Sequence, residues 1–210
     1  KFCHGRNGVH YVDDLELLKD VAGIKRNLNL TYAVRDGIIG HCGNPDISGQ
    51  KPRNEFVSLD KFTRPNQYAP FTWEGCVVKL ADNISYLGRD LEDAKEMKLL
   101  TDRDINNFDK AIENIRINNS SIIGYLTGDL CKNSTVEEGL RFSDEAYSTM
   151  EKIRKFNYEK IYRNDKIQPT IRYFTVLMNE IFYTLKNEYN GTATIKNIKK
   201  MKRYYPVLAE

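Results

Sequence analysis

The 210-residue chain has no long hydrophobic run and only four cysteines, and both absences exclude classes of protein. No apolar stretch approaches the roughly 18 to 20 residues of a transmembrane helix, and the opening residues, KFCHGRNGVHYVDD, lack the apolar core of a signal peptide. The cysteines form no CxxC pair, which argues against a zinc ribbon and a disulfide framework. The sequence therefore predicts a soluble, cytoplasmic protein with reduced thiols and no membrane partner.

An excess of charge of one sign is also lacking. The chain has 32 basic and 29 acidic residues, a net charge of +3, which is too balanced to indicate a nucleic-acid or membrane partner. One local basic segment, IKNIKKMKRYYPVL at residues 195–208, could bind an effector nucleotide or nucleic acid. A solvated terminal helix is the favoured interpretation of that segment.

Alternating β-branched runs are scarce, and helical periodicity dominates instead. The length suffices to bury a core without disulfides or metals. We predict an all-α fold, with helices within residues 8–22, 29–41, 70–97, 101–119, 119–134, 142–164 and 169–189. Thr101 and Ser143 are placed as N-caps of two of these helices.

Residues 43–70 interrupt this helical pattern. The segment contains Pro45, Pro52, Pro65 and Pro70, four of the six prolines in the chain, together with many polar residues. Such a composition predicts a long loop or lid, and long ordered loops in compact domains are often functional.

The helix predicted around KLADNISYLGRDLEDA, residues 79–94, concentrates chemistry on one face. At about 100° per residue, Asp82, Tyr86, Arg89, Asp90 and Asp93 share one narrow sector. A solvated surface with Arg89 paired to an acid is one interpretation. The other is a pocket wall, in which a carboxylate binds a divalent cation and a tyrosine and a second aspartate contact a sugar. The opposite sector is apolar: Val77, Leu80, Ile84, Leu87 and Leu91.

Four blocks of sequence, in order, resemble one enzyme family. FTWEGCVVKLADNISYLGRDLEDA resembles the fourth conserved block of the HD-domain deoxynucleoside triphosphate triphosphohydrolases, the bacterial dGTPase-like proteins. FCHGRNGV resembles the F-x-H-x-x-x-S-V block of that family, and LNLTYAVRDGIIGHCG resembles its G-L-N-L-T-x-x-V-x-E-G-I helix. LRFSDEAYSTMEKIRKFNYEKIY is similar to a downstream helix. The resemblance covers residues 2–163.

The resemblance implies an HD-domain-like helical bundle that cleaves a deoxynucleoside triphosphate, dGTP or similar, into a deoxynucleoside and triphosphate. It assigns Asp82 as a ligand of a divalent metal (Mg, Mn, Fe, Ni or Zn) and His4 as the catalytic histidine near the attacked phosphate. It places Tyr86 on the nucleotide sugar and Asp90 on the 3′-hydroxyl. The family also implies a homo-oligomer. Asn83 stands where some relatives have a phosphate-binding lysine, which leaves the base preference open.

The remaining metal ligands of the family, a histidine and a His-Asp dyad, have no counterpart in these 210 residues. We therefore expect the N-terminal helices of the bundle to be missing and the chain alone to be inactive. Residues 1–163 would form a partial HD phosphohydrolase domain, and residues 164–210 a C-terminal helical extension packed on it. Two alternatives remain open: an HD-type deoxynucleoside monophosphate phosphohydrolase, and a non-catalytic nucleotide-sensing or oligomerising subunit.

Overall fold

The computed structural model describes residues 3–46, 48–112 and 115–188. The described residues form seven α-helices and one antiparallel hairpin, so the predicted all-α class is confirmed. The helices are α1 (His4–His10), α2 (Tyr32–Gly40), α3 (Trp73–Glu96), α4 (Asp102–Ala111), α5 (Asn119–Asn133), α6 (Asp144–Asn157) and α7 (Gln168–Glu188). The hairpin pairs β1 (Leu17–Lys19) with β2 (Lys25–Asn27), and Leu18 lies opposite Arg26.

The helix predicted within residues 8–22 is wrong in its second half. After α1 the chain makes a π-helical turn, Tyr11–Leu15, and then enters the hairpin. The Asp20 carboxylate accepts hydrogen bonds from the backbone N–H groups of Ala22 and Ile24, both at 2.9 Å, and Gly23 adopts a positive φ of 77°. These local bonds stabilise a turn that competes with the helix.

Side-chain caps fix where the later helices begin. Thr72 accepts from the N–H of Gly75 at the start of α3, and Thr31 does the same for α2. Thr101 and Ser143 cap α4 and α6, as the sequence predicts. Each cap satisfies an amide that has no partner within its own helix.

The main hydrophobic core surrounds α3, which packs against α2, α5 and α6. Gly88 allows α5 to approach closely, because a Cβ atom there would lie 2.5 Å from the Cα of Asn119. Val77, predicted to be on the buried face, is 50% exposed because the core-facing sector runs through Cys76 and Leu80 instead. The core includes Leu80, Ile84, Leu87, Leu91, Ile122, Leu126, Ala146, Met150, Ile153 and Ile161.

The long loop predicted at residues 43–70 is present: the described residues 43–46 and 48–72 contain one helical turn, the 3₁₀ turn Leu59–Lys61. The loop is held by Asp36 of α2, whose side chain is buried. One carboxylate oxygen accepts the N–H of Phe71 at 2.7 Å, and the other accepts from the guanidinium of Arg53. Arg53 also donates to the carbonyl of Ala69. One charged pair thus joins α2 to the loop, and its carboxylate also binds Phe71, two residues before α3.

The chain divides into two compact units, Lys1–Ile161 and Tyr162–Glu210. In the second unit α7 leaves large apolar side chains exposed, including Tyr173, Phe174, Phe182 and Tyr183. The packing of residues 164–210 on the first unit stays a prediction. The basic segment 195–208 lies outside the described residues. No helix among the described residues is both long enough and apolar enough to cross a membrane.

Replacing Asp36 by alanine should destabilise the protein severely. The side chains of Asp36 and Arg53 are only 1% and 10% exposed, and removing one partner of a buried pair typically costs about 3–5 kcal/mol. The measurement is the free energy of unfolding in urea. The matched control is Asp93→Ala, which breaks the exposed Arg89–Asp93 pair and should cost about 0–1 kcal/mol. Equal losses in the two variants would contradict this role for Asp36.

The stabilising contribution of Cys76 should be lost between pH 9 and pH 11. Burial raises the pKa of Cys76 from 9.0 to about 11. Between these values the Cys76 thiol is less protonated in the unfolded chain than in the folded chain, so its contribution to stability decreases as pH rises through this range. The loss attributable to Cys76 is roughly 3 kcal/mol. The free energy of unfolding of Cys76→Ala should therefore decrease less, or increase more, between pH 9 and pH 11 than that of the wild type, whereas Cys131→Ala, at an exposed cysteine, should leave the pH dependence as in the wild type.

Candidate functional site

Helices α2 and α3 line a cavity of about 690 Å³. Its apolar walls come from both helices. Gly37 and Gly75 lie opposite each other there, and a Cβ atom on Gly75 would be in ordinary contact with the Cα atom of Gly37, at 3.7 Å. The lining also includes polar groups. Apolar clefts with a few convergent polar groups are the usual form of a small-molecule site. The lining residues are Ala33, Val34, Gly37, Ile38, His41, Thr72, Glu74, Gly75, Val78 and Asp82.

Asp82 and His4 are predicted site residues from distant blocks, and each shares one feature with His41. Asp82 is half-buried and lines the cavity together with His41. The ring of His4, at the start of α1, lies edge-to-face against His41 with the ring centroids 5.4 Å apart. His41 thus contacts one of the two residues and shares the cavity with the other.

The position of His41 beside His4 was not predicted from the sequence. Its Nδ1 lies 2.7 Å from the carbonyl oxygen of Ile38, and its Nε2 lies 3.6 Å from the Sγ of Cys42. Burial raises the pKa of the Cys42 thiol, and the nearby charge of Asp82 contributes in the same direction. The available signal was the position of His41 within LNLTYAVRDGIIGHCG, directly after α2.

Tyr86 and Asp90 lie one and two turns beyond Asp82 on α3. Tyr86 is 60% exposed and Asp90 is half-buried. On the same face of α3, Arg89 and Asp93 form an exposed ion pair, with 3.0 Å between Nε and Oδ1. For these two residues, the interpretation of this face as a solvated surface is correct. The roles of Asp82, Tyr86 and Asp90 stay predictions.

Asn83, next to Asp82, connects α3 to two other segments. Its side-chain amide donates to the carbonyl of Gly43 at 3.1 Å, and its oxygen accepts from Arg154 of α6 at 3.2 Å. Arg154 was not identified from the sequence, because no local pattern indicates that a residue on α6 reaches α3. Asn83 therefore joins α3 to the chain just after α2 and to α6.

Lys79 is a third residue whose role the sequence did not reveal. Its side chain is buried, and its ammonium group donates to the carbonyl of Cys42 at 2.9 Å and to the Oδ1 of Asn66 at 2.6 Å. Burial lowers the pKa of Lys79. Lys79 therefore ties the loop to α3 and to the chain just after α2, next to His41.

Metal-ligating side chains meet at one place in the described part of the chain. His4, His41 and Cys42 have ligand atoms that all lie within 4.8 Å of one another. Asp82 belongs to no group of three such ligands among the described residues. The predicted ligand Asp82 and this cluster are thus separate features at neighbouring positions.

Comparisons with known proteins confirm the family resemblance. The chain is 26% identical over 208 residues to a deoxyguanosinetriphosphate triphosphohydrolase-like protein of Clostridium tetani, covering 96% of this chain and 54% of that protein. A protein of the same name from Desulfatibacillum aliphaticivorans is 27% identical over 190 residues, covering 89% of this chain and 48% of that protein. A third, from Caldanaerobacter subterraneus subsp. tengcongensis, is 26% identical over 209 residues, covering 100% and 50%.

The chain spans about half the length of these curated relatives. No family profile matches the chain. The similarity supports relationship to a hydrolase family of the dGTPase-like kind, and the activity of the present protein is a separate question.

Replacing Lys79 by methionine should loosen the loop between residues 59 and 68. The change removes the donor that Cys42 and Asn66 share, and a lost buried hydrogen bond costs about 1–3 kcal/mol. Hydrogen–deuterium exchange of this segment should accelerate roughly tenfold or more, because each 1.4 kcal/mol changes the open population tenfold. Lys95→Met, at an exposed lysine paired with Asp102, is the control. Unchanged exchange in Lys79→Met would show that the loop does not depend on this contact.

Proposed function

We propose that the protein carrying this chain hydrolyses deoxynucleoside triphosphates, dGTP or a similar nucleotide, to a deoxynucleoside and triphosphate. The observation that supports the proposal is that His41 contacts the ring of His4 and also lines the α2–α3 cavity together with Asp82. These residues come from separate blocks that resemble the triphosphohydrolases. The relatives named deoxyguanosinetriphosphate triphosphohydrolase-like proteins support the same reaction class.

The spacing along α3 suits a ligand with phosphates at one end and a sugar at the other. A rise of 1.5 Å per residue separates the backbone of Asp82 from that of Asp90 by about 12 Å. The exposed ring of Tyr86 lies between them and can pack on the deoxyribose. The Asp90 carboxylate can accept a hydrogen bond from the 3′-hydroxyl. Phosphates would therefore lie toward Asp82 and His4.

His4 is the candidate for proton transfer. Its side chain is exposed at the start of α1, so a nucleotide or water can reach it. An imidazole can protonate a leaving oxygen or accept a proton from an attacking water near neutral pH. We assign His4 this role at the phosphorus that is attacked.

A divalent metal (Mg, Mn, Fe, Ni or Zn) is part of the proposal, but the described residues do not complete a centre for it. Asp82 provides one carboxylate, and no group of three ligands among the described residues includes it. Such centres normally use several carboxylate or imidazole ligands. Asp82 alone does not hold such an ion, so we derive no step through it.

The lack of a group of three ligands around Asp82 among the described residues favours a second candidate, a non-catalytic nucleotide-sensing or oligomerising subunit. One carboxylate without further ligands suits a protein that binds nucleotides without cleaving them. An HD-type monophosphate phosphohydrolase, which would release phosphate from a deoxynucleoside monophosphate, is distinguished by its products. The homo-oligomer and the cytoplasmic location stay predictions.

The test is product analysis with the purified full-length protein, Mn²⁺ and each dNTP. We expect triphosphate and a deoxynucleoside from dNTPs, and no phosphate from deoxynucleoside monophosphates. Asp90→Asn and Tyr86→Ala should raise KM for the nucleotide roughly tenfold or more, because each removes a ligand contact worth about 1–3 kcal/mol. Asp82→Asn should abolish turnover.

Asp93→Asn is the matched control on the same face of α3. It changes an aspartate whose partner is Arg89 rather than the ligand, so its KM should equal that of the wild type. Nucleotide binding without any product would favour the non-catalytic subunit. An equal rise of KM in the Asp93 and Asp90 variants would contradict the sugar-binding role of Asp90.

A further inference from the structure

The cluster of His4, His41 and Cys42 combines two imidazoles and one thiol at one point of the fold. Their ligand atoms lie within 4.8 Å of one another. His4 is exposed, whereas His41 and Cys42 are half-buried, so an ion can enter from solvent and contact partly shielded ligands. Imidazole and thiolate together favour Zn²⁺ and similar thiophilic cations over Mg²⁺ or Mn²⁺, which prefer oxygen.

The distance between His41 and Cys42 already fits one edge of a tetrahedral site. With Zn–N and Zn–S bonds of about 2.0 and 2.3 Å, a tetrahedral angle separates the nitrogen and the sulfur by about 3.5 Å. The structure places the Nε2 of His41 3.6 Å from the Sγ of Cys42. A direct S–H to nitrogen hydrogen bond also fits this distance, so the edge alone does not identify a metal site.

The orientation of His41 is what a metal ligand requires. Its Nδ1 lies 2.7 Å from the carbonyl oxygen of Ile38, and a carbonyl can only accept, so Nδ1 carries the proton. The lone pair is therefore on Nε2, the atom that faces Cys42. Metal-binding histidines characteristically donate their other ring N–H to a carbonyl or carboxylate in this way.

The backbone that carries the three ligands is held firmly. A Cβ atom on Gly5 would lie 2.7 Å from the carbonyl oxygen of Ile39, so α1 contacts the end of α2 closely and His4 is fixed beside His41. Lys79 donates to the carbonyl of Cys42 at 2.9 Å. The ligands are thus positioned by contacts independent of any ion.

We propose that His4, His41 and Cys42 bind one thiophilic divalent cation of the Zn²⁺ type, with the fourth position open to water. Binding replaces the thiol proton of Cys42 by the metal and releases that proton to solvent. This site is distinct from the metal expected at Asp82, because Asp82 is not one of the three ligands. The inference does not depend on the proposed hydrolysis.

One consequence does rest on the proposed function. An ion on His4 occupies the nitrogen lone pair that proton transfer needs, so Zn²⁺ would inhibit hydrolysis in the full-length protein. Cys42→Ser should then relieve that inhibition while leaving turnover without added Zn²⁺ unchanged. If the protein proves not to be a hydrolase, the inhibition test no longer applies, but the binding experiment below still tests the metal site.

The binding experiment is a Co²⁺ titration of the purified, chelator-treated full-length protein, followed by displacement with Zn²⁺. We expect a sulfur-to-cobalt charge-transfer band that saturates and disappears on addition of Zn²⁺. Cys42→Ser should eliminate the band, and His4→Gln and His41→Gln should each weaken Zn²⁺ binding at least about tenfold. Circular dichroism of each variant verifies that the fold is retained.

Two control variants separate this cluster from other histidines and cysteines. His10 lies on α1 but is paired with Asp14 at 2.6 Å, and Cys131 is exposed on α5. His10→Gln and Cys131→Ser should retain the band and the affinity, as should Asp82→Asn. Absence of the band in the wild type, or its persistence in a folded Cys42→Ser variant, would overturn the proposal.

Discussion

The buried carboxylate of Asp36 is the constraint on which the architecture of the site depends. A carboxylate that is 1% exposed is tolerable only when its oxygens are fully hydrogen-bonded. Arg53 and the N–H of Phe71 supply those bonds from two points of the long loop. The loop must therefore return to α2 twice, and its second return leads directly into Thr72, the N-cap of α3. The crossing of α2 and α3, and hence the cavity between them, follows from this requirement.

Features encoded by local chemistry could be predicted from the sequence. The Thr101 and Ser143 caps, the buried face through Leu80, Leu87 and Leu91, and the extent of the proline-containing loop all depend on residues close in sequence. The hairpin was missed because the side-chain bonds of Asp20 and the positive φ of Gly23 outweigh a weak helical periodicity. Leu18, part of that periodicity, is 61% exposed and stabilises no helix.

The site was only partly predictable for a different physical reason. Asp82, Tyr86 and Asp90 share one helix, so their spacing can be recognised in the sequence. The meeting of His4 with His41, and of Arg154 with Asn83, depends on how helices pack, which no local pattern records. Lys79 is the clearest case, because a lysine on a predicted helix is normally assigned to solvent. Here three loop and helix-end oxygens surround its ammonium group and make burial possible.

Four neighbouring positions of α3 show how one helix can serve structure and chemistry together. Lys79 points to the loop and the end of α2, Leu80 to the core, Asp82 to the cavity, and Asn83 to Gly43 and Arg154. Lys79 and Asn83 are four residues apart and share one face, so both contact the chain just after α2, whereas Leu80 and Asp82 point to other neighbours. Because Lys79 and Asn83 hold the segment on both sides of Cys42, the geometry of the His4, His41 and Cys42 cluster is coupled to the helix that carries Asp82. A structural change in the His4, His41 and Cys42 cluster would therefore shift the part of α3 that carries Asp82, and a change in α3 would shift the cluster.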